Sequence, residues 1–77
     1  MKVKVTIMLK KGVLDPQGKA IENTLGHLGY DQVQDVRQGR LITMDVDEDT
    51  SYETIQQMCD KLLANPVIED YEIQMPN

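Results

Sequence analysis

The sequence predicts an α+β fold, a βαββαβ two-layer sandwich whose antiparallel sheet carries two helices on one face. Three observations predict it. Lys2–Lys10 alternates apolar and polar residues with a period of two. Two stretches carry apolar residues at helical spacing, each behind a capping signal. After Pro66 the period returns to two, with Val67, Tyr71, Ile73 and Met75 on one face and Ile68, Asp70, Glu72 and Gln74 on the other.

In the first strand Val3, Val5, Ile7 and Leu9 form the apolar side and Lys2, Lys4, Thr6 and Lys10 the polar side, with Met8 as the exception. Asp15-Pro16 opens a helix over Pro16–Leu28: Asp15 caps free N–H groups, and proline at the first position gives up no needed donor. Ile21, Leu25 and Leu28 follow at i, i+4 and i+7, and Gly29 closes the helix. Gly18 and Gly26 each weaken it by about 1 kcal/mol relative to alanine, so it needs a sheet beneath it.

Gln32–Gln38 and Leu41–Asp47 are read as strands joined across Gly39. Val33 and Val36 are three residues apart and do not share a face of a flat strand, so this segment calls for a bulge or for burial on both sides. Thr50-Ser-Tyr-Glu53 fits a capping box, and Ile55, Met58, Cys59, Leu62 and Leu63 make the apolar stripe of a second helix reaching about Ala64. Asn65, which tolerates the left-handed conformation, and Pro66 stop that helix. The last strand, Val67–Met75, is expected beside the first, setting Asp70 and Glu72 near Lys2 and Lys4. The outer face then carries Met8 and Ile68, with either Leu41 or Ile42 and Met44, and needs a cover.

Seventy-seven residues make a single domain, residues 1–77, with a small core. No disulfide is available to one cysteine, so association with itself, as a dimer or tetramer, is the expected support. The single cysteine and the missing leader or long apolar run point to a soluble, cytoplasmic protein with no membrane partner. A net charge of -5 and three tyrosines as the only aromatics speak against nucleic acid. Charge is uneven: residues 1–40 hold seven Lys/Arg against four Asp/Glu, a net of +3, and residues 41–77 hold one against nine, a net of -8.

No catalytic, cofactor-binding or metal constellation emerges. His27 has no companion ligand or nucleophile, and a solvated histidine is the simpler account. Cys59 lies on an apolar stripe and reads as a small buried hydrophobe. The acidic run Asp45–Asp49 lacks the alternating ligands of a calcium loop and suits a helix N-terminus. Lys10-Lys11-Gly12 lacks the glycine density of a phosphate loop. The remaining candidates are turns presented by rigid elements: Arg37, Gly39 and Arg40 at the hairpin, and Asn65 and Pro66 at the helix stop. These five are the expected contacts with a partner chain.

Val13-Leu-Asp-Pro-Gln-Gly18, Val36-Arg-Gln-Gly-Arg40 and Cys59-Asp-Lys-Leu-Leu-Ala-Asn-Pro-Val-Ile-Glu-Asp-Tyr71 together resemble the PurS family, in the family's order and spacing. Arg40 stands where the family often has lysine, which keeps the charge. The resemblance implies a non-catalytic small subunit of phosphoribosylformylglycinamidine (FGAM) synthase in de novo purine synthesis. That enzyme converts formylglycinamide ribonucleotide (FGAR), ATP and glutamine into FGAM, ADP, phosphate and glutamate. The implied partners are a glutaminase subunit and a large synthetase subunit, with ammonia passing between them. ATP and Mg are then used by the synthetase, and this subunit binds no cofactor. The βαββαβ order also resembles amino-acid-sensing regulatory domains of the ACT type, the alternative reading.

Overall fold

The computed structural model describes residues 1–76 of the chain. Strand β1 (Lys2–Leu9) forms the centre of an antiparallel sheet, with β2 (Gly39–Asp45) on one side and β3 (Glu69–Gln74) on the other. Helix α1 (Pro16–His27) links β1 to β2, and α2 (Tyr52–Met58) runs into a π-helical turn over Cys59–Leu63 before β3.

The alternation in β1 sets the core. Val3, Val5 and Ile7 are fully buried on one face of the sheet. Register places Met44 and Ile42 opposite Val3 and Val5, and Ile73 and Tyr71 opposite Val5 and Ile7, so all of them share that face. Ile55, Cys59 and Ala64 close the cluster from the second helix. Burying a side chain such as Ile55 is worth about 1.5–3 kcal/mol. The register also decides the outer face: Leu41, opposite Thr6, lies there with 61% exposure, while Ile42 and Met44 belong to the core.

Several expectations need correction. Gln32–Gln38 forms no strand within the chain, so the sheet has three strands rather than four. Its valine spacing suits no flat strand, and its polar groups go elsewhere: Gln38 N donates to Asp15 Oδ2 at 2.8 Å, and Arg37 Nη2 donates to the Lys10 carbonyl at 3.3 Å. Gly39 is accordingly no hairpin residue but the first residue of β2. The cap sits one residue later than the expected box, with Ser51 Oγ accepting from Thr54 N at 3.2 Å. Asn65 is not left-handed, since among the described residues only glycines have positive φ. It stops the helix by its oxygens instead: Oδ1 takes Val67 N at 3.0 Å, and its carbonyl takes Glu69 N at 2.7 Å. That turn delays β3 to Glu69. Asp70 consequently pairs with Lys10 at 2.6 Å, not with Lys2 or Lys4.

The π turn is the other departure from a regular helix. Ala64 N reaches back to the Cys59 carbonyl at 2.9 Å, an i to i+5 bond. The extra residue in the turn keeps Cys59 and Ala64 buried and rotates Leu62 outward to 83% exposure. Helix α1 behaves differently from α2. Gly18 is its only buried residue, and none of its apolar side chains joins the core cluster. Ile21 and Leu28 remain exposed.

Candidate partner-contact site

Arg40, at the start of β2, and the turn at Asn65-Pro66 come together at one end of the sheet through Glu69, the first residue of β3. Arg40 Nη2 donates to Glu69 Oε1 and Oε2 at 2.9 and 3.0 Å, and to the Leu63 carbonyl at 3.1 Å. Asn65 N donates to the same Oε1 at 2.7 Å. These bonds hold the Glu69 carboxyl below the usual carboxylate range: the Asn65 N–H is the largest cause, and the Arg40 guanidinium adds to it against the opposing effect of burial.

Gly39 fits where a side chain does not. A Cβ there would fall 2.5 Å from the Ile7 carbonyl and would collide with Met8 Sδ. A groove of about 380 Å³ lies beside it, lined by Leu9, Pro16, Gln17, Gln38, Arg40 and Glu69. Leu62 and Val67, 83% and 78% exposed, flank the Asn65-Pro66 turn. The site is thus a charged knot rimmed by uncovered apolar side chains.

Arg37 is held apart from that knot. Its Nε lies 4.0 Å from Asp15 Oδ2. Asp15 does more than cap α1, because its two oxygens take Gly18 N at 2.9 Å and Gln38 N at 2.8 Å. The Gln38 and Gly18 N–H groups, then Arg37, depress its carboxyl, with desolvation opposing them. The sequence marked Asp15 as a cap and passed over Glu69. Their second partners lie 23 and 29 residues away, where local pattern carries no signal.

The other candidates separate. Cys59 is buried as expected, and burial, with Asp60 beside it, pushes its thiol up. Tyr71 Oη donates to Asp60 Oδ1 at 3.0 Å on the same side. His27 ends α1, exposed. Asp45 and Glu48 of the acidic run each lie 3.4 Å from the Met1 ammonium.

The family model described as PurS, phosphoribosylformylglycinamidine (FGAM) synthase, matches residues 2–77. The chain belongs to the PurS family. The phosphoribosylformylglycinamidine synthase subunit PurS of Bacillus subtilis is 45% identical over 76 residues, covering 96% of this chain and 90% of that protein. A solved structure of B. subtilis PurS superposes with a TM-score of 0.90 at 44% identity, covering 99% and 98% of the two chains. The structure of PurLQS from Thermotoga maritima contains a chain that matches with a TM-score of 0.80 at 30% identity, covering 95% and 93%. Membership places it among the PurS subunits of FGAM synthase, which belong to the purine biosynthetic pathway. This assignment replaces the ACT-type alternative, and the α+β architecture of an antiparallel sheet with two helices is that of the PurS structures.

Proposed function

We propose that this chain works by position. It joins the glutaminase subunit to the large synthetase subunit of FGAM synthase and helps hold them so that ammonia passes between them shielded from bulk water. Ammonia released into water is protonated and lost as a nucleophile, so its transfer depends on sealed interfaces. The observation that carries the reading is the likeness over nearly the whole chain to a subunit of the PurLQS assembly. ATP and Mg serve the synthetase in this reading. No helix among the described residues is long and apolar enough to cross a membrane, and we place the complex in the cytoplasm.

The chain also pairs with a second copy of itself. Ile21, Leu28 and Leu14 lie uncovered on or beside α1, a helix whose apolar stripe stays outside the chain's own core. The charged knot at Arg40, Gly39, Asn65 and Pro66, with Leu62 and Val67 at its rim, is the surface that meets a partner subunit, and Arg37 supports the loop leading into it. An arginine whose neighbours exclude water is a common basis of strong contacts.

The direct test reconstitutes the synthetase and glutaminase subunits with and without this protein and measures FGAM formation. Glutamine-dependent formation should require it, while formation from added ammonia should not. Equal glutamine-dependent rates in its absence would refute the reading.

A further inference from the structure

We infer that Glu69 is the positioning residue of this surface, holding Arg40 so that its unused N–H groups receive a carboxylate of a partner subunit. The inference rests on the reading that the knot meets a partner. Glu69 joins three separate pieces of chain: the start of β2 through Arg40, the helix stop through Asn65 N, and β3, to which it belongs. Its own N–H donates to the Asn65 carbonyl at 2.7 Å, so side chain and backbone grip the same turn from both ends.

Exposure separates the roles of the two charges. The Glu69 side chain is 15% exposed and the Arg40 side chain 54%. A carboxylate only accepts, and this one is occupied by Asn65 and Arg40. A guanidinium has five N–H donors in a rigid plane, and here Nη2 alone makes every bond found within the chain. Among the described residues Nε and Nη1 meet no acceptor, and they belong to the more exposed side chain. Carboxylates and phosphates are the groups such donors bind best, and of the two a protein subunit offers the carboxylate on its acidic side chains. Without Glu69 the arginine would keep only the Leu63 carbonyl, and the plane of its guanidinium would be free to turn.

The test measures the dissociation constant of the reconstituted complex for the native chain and for E69Q, R40Q and the double variant, each first shown to be folded and dimeric at the assay temperature. E69Q and R40Q should each weaken assembly about tenfold. The double variant should be no weaker than either single one, because both act through one contact. R40K, which keeps a charge for Glu69 but lacks the fork, serves where E69Q does not fold, and it too should weaken assembly. Wild-type affinity for E69Q beside a weakened R40Q overturns the positioning role and leaves the partner surface standing. Losses that multiply in the double variant also overturn it, as does wild-type affinity for R40K. Wild-type affinity for all variants overturns both the inference and the partner surface beneath it.

Discussion

Gly39 and the two depressed carboxylates show how single residues set the geometry of the site. At Gly39 a Cβ would meet the Ile7 carbonyl, which is backbone and does not yield as a flexible side chain does. Gly39→Ala should therefore lower unfolding stability by about 1–3 kcal/mol, seen as an earlier urea midpoint at unchanged slope. An unchanged midpoint would mean that β1 and β2 separate at little cost. Asp15 and Glu69 both carry folded-state carboxyls held below their ordinary values. On acidification the unfolded chain takes up these protons first, so stability rises with pH where the two states differ. Their contribution is complete above the ordinary carboxylate values, about pH 4, and is lost as pH falls through the lower folded-state values. Asp15→Asn should accordingly flatten the acid limb of the stability profile, measured by denaturation at a series of pH values. An acid limb as steep as that of the native chain would count against this account. The acidity of Asp15 was not legible beforehand, because nothing near it in sequence identifies Gln38 N as its second donor.

Capping is decided at the scale of the element. Thr50-Ser-Tyr-Glu53 offered two hydroxyls for the start of α2, and the extended backbone at Ser51 makes it the cap. Ser51→Ala should cost about 1 kcal/mol and Thr50→Ala markedly less. Thermal or urea unfolding of the two variants checks this, and a reversed order would restore Thr50 as the cap. At its far end the second helix widens into a π turn at Cys59–Leu63. The apolar stripe there was legible, but its phase was not: one added residue per turn sends Leu62 to solvent beside the Asn65-Pro66 turn. The strand predicted over Gln32–Gln38 failed for a related reason. Its valine spacing already fitted no flat strand, and the Asp15 carboxylate and the Lys10 carbonyl hold Gln38 N and Arg37 Nη2 in an irregular loop.

Across the whole molecule the dominant fact is that the apolar side chains of α1 stay outside the core of one chain. The protein is thin and long, 49 × 26 × 14 Å, and its core is drawn from the sheet and the second helix. A second copy covering α1 would account for the exposure of Ile21 and Leu28 and would supply the extra burial that so short a chain needs. Replacing both with aspartate should shift the protein toward monomer in sedimentation velocity, because two charges would have to be buried to reform the contact. A dimer that persists unchanged would place the interface elsewhere.

The α+β class, the buried face of β1, the Asp15-Pro16 and Gly29 boundaries of α1, and the family are all legible in the order of the residues. Those features follow from local periodicity, backbone restriction and residue identity, which need no knowledge of distant neighbours. Long-range packing is what gathers Arg40, Asn65 and Glu69 into one knot, pairs Lys10 rather than Lys2 or Lys4 with an acid of β3, and limits the sheet to three strands. Each of these depends on the register between segments far apart in the chain. Register is set by the joint burial of several faces, which no single stretch encodes.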